Sequence, residues 1–183
     1  QLEPERSVSV PMKELRGDPA RIITPTTGAE SSLLRSLAKS TKALGSVAHV
    51  NFGKQLRDRT KFKADVITIP KKLGTPTGYA RCYTGGDAGF FLLQWSGLAC
   101  LTSREAQSGG CWDDERQNSK NKLICKQVGK YPVFSLDVSG YQCLNTMFMI
   151  NIFGDLDAHF LLGILNSDLI RYVWMKKYYD HRK

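Results

Sequence analysis

The stretch that decides the fold is NKLICKQVGKYPVFSLDVSGYQCLNTMFMI, residues 121–150. Three short apolar runs alternate with two glycine-containing segments, which predicts three strands joined by two tight turns, a β-meander. Cationic, amide and aromatic side chains crowd around the first turn: Lys122, Lys126, Gln127, Lys130 and Tyr131. Such a hairpin is typical of a surface that grips a phosphate backbone while it contacts base edges.

Helical patterns lie on both sides of this stretch. Residues 30–42 carry leucines at helical spacing, and Gly45 would end that helix. In residues 157–179 the pattern returns, with Phe160, Leu161, Ile164 and Leu165 expected on one face. A break at residues 166–167 predicts two helices there, and Ser167 is a suitable N-cap for the second.

Strand and loop patterns fill the remainder of the chain. They predict a strand at 47–52, a loop at 70–78, three strands with a glycine loop at 79–101, and a long surface loop at 102–119. The predicted fold class is therefore α+β: a strand-rich central sheet of meander and hairpins, flanked by N-terminal and C-terminal helices.

A chain of 183 residues fits one domain with an appended arm. We expect residues 1–45 to be a connector, with short strands at 7–10 and 22–23 and one helix, and residues 46–183 to be the main domain. The first ten residues contain neither an initiator Met nor a signal peptide. This predicts a segment of a longer polypeptide.

The formal net charge is +9, which favours an anionic partner, nucleic acid before membrane surface. No apolar run approaches the ~20 residues of a membrane helix, so no membrane partner is expected. Seven of the cations cluster in one stretch: Lys54, Arg57, Arg59, Lys61, Lys63, Lys71 and Lys72. Lys54, Arg57 and Arg59 are candidates for phosphate contacts. A solvated basic loop is the alternative.

The five cysteines are odd in number and include no C-x-x-C pair. Cys100, Cys125 and Cys143 lie inside apolar runs, where cysteine behaves as a small hydrophobic residue. This usage predicts reduced, structural thiols and a cytoplasmic protein.

Catalytic motifs are absent from the sequence. No two prolines are adjacent, so the Pro-Pro core of an amino-methyltransferase catalytic loop does not occur. Neither G-x-G-x-x-G nor G-x-x-x-x-G-K-[ST] is present, and no acidic residue precedes a lysine by two positions, as a common nuclease site requires. Paired Cys and His spacings for zinc are missing as well. No catalytic residue, metal ligand or cofactor site is expected in this chain.

Four segments, in their order and spacing, resemble the TaqI-like C-terminal specificity domain, the target-recognition domain of adenine-specific DNA methyltransferases and of fused type II restriction-modification enzymes. The resemblance runs from about residue 44 to the end of the chain. The segments are VNFGK at 50–54, YTGGDA at 83–88, YQCLNT at 141–146 and LLGILNS at 161–167. Gly86 stands where the family usually has Arg or Lys, and the chain stops where relatives continue, which suggests truncation at its C-terminus.

The resemblance implies a domain that binds duplex DNA and places a target adenine before a separate N-terminal methyltransferase domain. That domain would bind S-adenosylmethionine and transfer its methyl group to the flipped base. An endonuclease could be fused to it in a restriction-modification system. Two alternatives stay open: a free-standing DNA specificity subunit without its own catalytic domain, and the substrate-binding domain of an RNA-modifying enzyme.

Individual residues can be assigned within this hypothesis. Gln127 could pair with an adenine edge, and Lys126 and Lys130 could contact guanine or phosphate; an ordinary exposed hairpin is the alternative. In the glycine loop, Asp87 could accept a hydrogen bond from a cytosine amino group, or it could cap its own turn. Asn145 is expected to be a buried scaffold residue. The remaining candidates for DNA contact are Thr84, Gly86, Tyr131, Tyr178 and Arg182.

Overall fold

The structure, a computed structural model, describes residues 28–177. In that part of the chain the α-helices are α1 (Gly28–Ser40), α2 (Asp114–Asn118), α3 (Ala158–Leu165) and α4 (Asp168–Lys177). The strands are β1 (Ala48–Phe52), β2 (Gln55–Leu56), β3 (Val66–Thr68), β4 (Tyr79–Tyr83), β5 (Leu98–Leu101), β6 (Gln107–Gly109), β7 (Lys122–Lys126), β8 (Phe134–Asp137), β9 (Gln142–Cys143) and β10 (Met147–Ile152). The expected strands at residues 7–10 and 22–23 lie outside the described residues.

The strands form two four-stranded sheets and a small ribbon. The first sheet has the order β1-β10-β7-β8, the second has the order β3-β5-β4-β9, and β2 pairs with β6. All pairs are antiparallel except β4–β9. The α+β prediction, with a strand-rich centre between N-terminal and C-terminal helices, is confirmed.

The strand order in residues 121–150 differs from a meander. β7 and β8 form the expected hairpin, with Lys122 opposite Asp137. β10 then pairs with the other side of β7, and β9 joins the second sheet beside β4. The reason lies in β7, where the consecutive residues Leu123 and Ile124 are both fully buried. A strand that is apolar on both faces occupies the centre of a layered sheet and needs neighbours on both sides.

The first sheet is therefore the middle layer of the molecule. Leu123 and Ile150 face α3, where they pack with Leu161 and Leu162. Ile124, Met147 and Met149 face the opposite way and pack with residues of β4 and β9. The alternation along β7 and β10 follows the two-residue period of a strand.

α3 ends at Leu165 and α4 begins at Asp168, on either side of the break predicted at residues 166–167. Ser167 Oγ accepts a hydrogen bond from Ile170 N at 3.3 Å, which confirms it as the N-cap of α4. The buried face of α3 differs from the expectation, because Leu161 and Leu162 contact the sheet while Phe160 and Ile164 are exposed.

One loop prediction and one strand prediction also need correction. The expected loop at 102–119 contains a 3-10 turn, β6 and α2, and Asp113 caps α2 by accepting from Arg116 N at 3.2 Å. The middle strand expected within 79–101 is replaced by a tight reversal, in which Gly89 N donates to Leu92 O at 3.0 Å.

Residues 144–146, the crossing turn, carry the chain from β9 in the second sheet to β10 in the first. Gly53 lies directly against this turn, and a Cβ there would be 2.2 Å from Leu144 O. Gly110, at φ +72°, packs in the same way, with its would-be Cβ 2.0 Å from Gly53 O. Three backbone segments thus meet without intervening side chains, which only glycine permits.

Residues before position 78 contribute to both sheets, since β1 pairs with β10 and β3 pairs with β5. The division of the chain at residues 45 and 46 stays a prediction. Among residues 28–177, no helix has the length and apolar character to span a bilayer.

Candidate nucleic-acid interface

The crossing turn brings together three segments that are distant in sequence. Asn145 N donates to Lys54 O at 2.9 Å. This hydrogen bond connects the turn to residues 54–60, which carry Lys54, Arg57 and Arg59 and are called the basic segment below. Thr146 Oγ1 accepts from Gly85 N at 2.8 Å, and Thr146 O accepts from Gln127 N at 3.0 Å. Two adjacent residues of the crossing turn, Asn145 and Thr146, therefore hold the basic segment, the glycine loop and the β7–β8 hairpin.

These contacts define a single surface, which we call the loop face. It consists of residues 57–60, 84–87, 126–131 and 145–146. Most of the candidate residues from the sequence lie on or next to it, although their chemical availability differs.

Lys54 is not available for a phosphate contact, so that prediction is wrong. Its side chain is 0% exposed, and its Nζ lies 4.4 Å from the centroid of the Trp112 ring and 3.6 Å from Asp114 Oδ1. The cause is the close packing at Gly53, after which Lys54 N donates to Cys143 O at 2.7 Å and the chain passes beneath the crossing turn. The ammonium group forms a cation–π contact inside the fold.

Arg57 is only partly available. Its Nε and Nη2 donate to the carboxylate of Asp65 at 3.0 and 2.7 Å, and its guanidinium lies 4.0 Å from the centroid of the Phe62 ring. The hydrogen bond to Asp65 raises the pKa of Arg57. A bidentate pair of this kind offsets the charge that a phosphate would otherwise contact.

Arg59 is exposed at the tip of the same segment, and no carboxylate within the described residues pairs with it. The tip is shaped by Asp58, which accepts from Thr60 Oγ1 at 2.7 Å and from Thr60 N at 2.9 Å. Those hydrogen bonds lower the pKa of Asp58. The turn thus presents Arg59 to solvent as an uncompensated cation.

The glycine loop is built around Asp87, which is 4% exposed. Its carboxylate accepts from Thr84 N at 2.7 Å and from Ser96 N at 2.8 Å, and Thr84 Oγ1 lies 3.2 Å from it. Asp87 therefore caps its own turn, which is one of the two alternatives that the sequence left open, and both carboxylate oxygens accept hydrogen bonds within the fold. The Thr84 hydroxyl donates to the same carboxylate, and the residue is half-buried beside Gly86.

Gly86 remains a candidate for close backbone approach. It is exposed, and a Cβ at this position would meet nothing nearer than Thr84 Oγ1 at 3.8 Å. The loop therefore offers bare backbone on the loop face.

The β7–β8 hairpin presents Gln127 and Lys130 to solvent, with Lys126 half-buried. In the part of the chain that the structure describes, neither lysine has a carboxylate partner. Tyr131 lies 6.0 Å from the Phe90 ring and beneath the guanidinium of Arg171, at 5.3 Å. Arg171 belongs to α4, so the contact places this helix beside the hairpin.

Lys122, grouped with this hairpin in the sequence, does not belong to the exposed set. Its side chain is fully buried, is paired with Asp137, and donates to Ser119 O at 2.9 Å. It occupies the far end of β7, and the hairpin turn follows the other end.

A shallow groove of about 210 Å³ runs between the basic segment and the crossing turn, and Arg57, Arg59, Thr60 and Asn145 are among its lining residues. Asn145 is half-buried there, and its side-chain amide makes no hydrogen bond with the described residues. The expectation of a scaffold amide bonded to backbone is therefore wrong. Sequence reasoning missed this residue because its apolar neighbours in 141–150 suggested a strand interior.

Tyr178 and Arg182 lie outside the described residues. Within residues 28–177, no group of three or more His, Cys, Asp or Glu side chains is arranged to hold a metal ion.

The sequence matches the family of TaqI-like C-terminal specificity domains over residues 78–183, more than half of the chain. No curated protein matches it. The matched range contains the glycine loop, the β7–β8 hairpin, the crossing turn and the C-terminal helices, whereas Arg59 precedes it. The chain therefore belongs to the TaqI-like C-terminal specificity domain family.

Proposed function

We propose that the chain is the DNA-sequence recognition domain of an adenine-N6 DNA methyltransferase, or of a methyltransferase–endonuclease fusion in a restriction-modification system, and that it acts in the cytoplasm. The loop face binds duplex DNA and positions the target adenine for a catalytic domain. The observation that carries the proposal is the crossing turn, which joins three segments with nucleic-acid-binding chemistry inside a specificity-domain fold.

In this proposal, different residues of the loop face contact different parts of the DNA. Arg59, Lys126 and Lys130 are cations without carboxylate partners in the described chain, which suits contact with phosphates. Gln127 and Asn145 carry free amides, and an amide can donate to and accept from an adenine edge at once. Gly86 lets the backbone approach the DNA closely. Phosphate contacts set register and affinity, and base contacts set sequence choice.

Methyl transfer belongs to the catalytic domain in this proposal. S-adenosylmethionine would supply the methyl group there, after the target adenine leaves the stack. The residues of this chain hold the duplex in register and take no part in that chemistry.

The proposal is tested by fluorescence anisotropy of the 183-residue chain with a labelled duplex DNA over a series of salt concentrations. We expect the logarithm of the binding constant to fall linearly with the logarithm of salt concentration. Replacing both Arg59 and Lys130 by Ala should reduce that slope by about 2, since each lost phosphate contact removes roughly one released counterion.

The matched control is Lys39→Ala with Lys42→Ala, which removes the same net charge at exposed positions in and just after α1. It should leave the slope almost unchanged. Equal slopes for the two double variants would contradict the proposed interface. Preference for a structured RNA over the DNA duplex would instead favour a domain of an RNA-modifying enzyme.

A further inference from the structure

Three consecutive apolar side chains project from the segment between the glycine loop and β5. Phe90, Phe91 and Leu92 are 42%, 48% and 76% exposed. Isolated exposed apolar residues are ordinary, but a contiguous exposed set marks a surface that something covers.

The segment is held firmly against the edge of the first sheet. Phe91 N donates to Phe134 O at 3.0 Å, and Leu136 N donates to Phe91 O at 3.3 Å. Ser135 Oγ adds a third hydrogen bond, to Gly89 O at 2.5 Å. These contacts cover the open edge of β8 with backbone alone. Edge protection therefore does not explain the exposed side chains.

Phe91 has a backbone φ of 65°, in the left-handed region. A bulky side chain rarely adopts this conformation, and it persists where the surrounding structure imposes it, most often at functional sites. The reversal that it creates points the neighbouring side chains outward and does not fold them into the core.

The three residues are continuous with the hairpin of the loop face. The ring of Phe90 lies 6.0 Å from the ring of Tyr131, which the guanidinium of Arg171 covers. Together Phe90, Phe91, Leu92 and Tyr131 form what we call the apolar ridge. Lys130 precedes Tyr131 directly, and Lys126 is four residues earlier on the same hairpin.

The charges around the apolar ridge indicate its occupant. Lys126 and Lys130 have no carboxylate partner in the described part of the chain, and Asp168 is paired with Arg171. Asp87, at the base of the segment, is buried and fully hydrogen-bonded. An apolar ridge that continues into a hairpin with uncompensated cations suits a polyanion with apolar faces, which describes stacked bases between phosphates.

We propose that the apolar ridge is a wedge that partly unstacks a base step of duplex DNA beside the loop face, an inference that rests on the proposed function. Phe90 and Leu92 enter between bases, and Lys126 and Lys130 hold the flanking phosphates. The wedge lowers the cost of removing a nearby base from the stack.

The test compares binding to two duplexes of the same sequence, one fully paired and one with a central mismatch. A mismatch reduces the unstacking cost, so the wild-type chain should bind the mismatched duplex roughly five- to tenfold more tightly. In the Phe90→Ala, Leu92→Ala double variant this ratio should approach 1, and the salt slope should stay unchanged because no cation is lost. Leu92 is the most exposed of the three residues, and Leu92→Ala alone should lower the ratio of the two affinities to a value between those of the wild-type chain and the double variant.

The matched control is Phe160→Ala with Leu169→Ala, which removes one exposed Phe and one exposed Leu from α3 and α4 and should keep the wild-type ratio. Thermal unfolding verifies that all variants are folded. A wild-type ratio in the ridge variant would overturn the inference alone. Failure of the wild-type chain to bind any duplex would overturn the proposed function with it. Altered self-association without altered DNA binding would identify the ridge as a protein interface and would also overturn the inference.

Discussion

Phe91 is, beside Asn121, one of two non-glycine residues with a positive φ in the described part of the chain, and it is the bulkier of the two. At φ 65° its Cβ is crowded against the carbonyl oxygen, which costs an L-residue roughly 1–2 kcal/mol. Two backbone hydrogen bonds to β8 hold it there. The strain is therefore maintained at the base of the apolar ridge, and a residue without a Cβ should release it.

We therefore expect the usual stability order, in which an Ala variant is more stable than a Gly variant, to be reversed at Phe91. Phe91→Gly should be more stable than Phe91→Ala by about 1 kcal/mol, because both lose the ring but only Gly loses the crowded Cβ. At Leu92, whose φ is not positive, Leu92→Ala should be more stable than Leu92→Gly by about 0.5–1 kcal/mol. Urea unfolding of the four variants measures both differences. The same order at both positions would show that Phe91 is not strained.

Single residues differ in how far their sequence reveals their environment. Ser167 was predictable as an N-cap, because capping is a local interaction that the neighbouring residues determine. Lys54 was not, because its burial depends on Gly53, Trp112 and the crossing turn, which meet only in the folded chain. Asn145 was misassigned for the same reason.

At the scale of elements, the crossing turn is the contact on which the loop face depends. It connects the two sheets, and Gly53 and Gly110 allow neighbouring backbone to approach it. A side chain at Gly53 would have to displace Leu144 and with it the turn that holds Gly85 and Gln127.

Gly53→Ala should therefore destabilise the fold by about 3 kcal/mol or more, since backbone cannot yield as a flexible side chain can. Gly163→Ala is the matched control. Gly163 is exposed within α3, a Cβ there meets nothing within 4 Å, and Ala should stabilise that helix by about 0.5–1 kcal/mol. In urea unfolding, Gly53→Ala should lower the free energy of unfolding and Gly163→Ala should raise it. A small loss of stability in Gly53→Ala would contradict the close backbone packing at Gly53.

The elements themselves were more predictable than their arrangement. Local patterns located the β7–β8 hairpin, the helix at Gly28–Ser40 and the break before α4. They did not reveal that β10 pairs with β7 rather than β8, because strand order depends on which apolar faces meet across the whole molecule. The glycine loop was located correctly, but the burial of Asp87 was one of two open alternatives.

At the scale of the whole molecule, the layered core contains buried thiols. Cys82, Cys100 and Cys143 are 0% exposed, and all five cysteines of the chain are free. Burial raises the pKa of the Cys143 thiol to about 12 and that of Cys125 to about 11. At these two positions the fold therefore favours the neutral thiol.

This shift predicts the direction of a pH effect on stability. In the unfolded chain Cys143 ionises from about pH 8.5, but in the folded chain it stays neutral until about pH 12. The contribution of the buried neutral thiol to the free energy of unfolding is fully present below pH ~8.5 and is lost as the pH rises towards 12. As the pH rises from about 8.5 to about 10, the unfolding free energy therefore falls. Under reducing conditions, Cys143→Ala should show a correspondingly smaller fall in unfolding free energy.

Leu123→Ala is the control for that experiment, because it truncates a fully buried side chain of the first sheet without removing an ionising group. Its pH dependence should match that of the wild-type chain. If Cys143→Ala kept the wild-type pH dependence too, the thiol would not be the source of the effect.

The central claim is that the loop face chooses a DNA sequence, and selection of duplexes from a randomised library by the full chain tests it most directly. The wild-type chain should enrich one motif, and Gln127→Ala and Asn145→Ala should each relax preference at one or two positions without changing the salt slope. Lys39→Ala should select the wild-type motif. Enrichment of no motif by the wild-type chain, or of the same motif by both amide variants, would contradict the account.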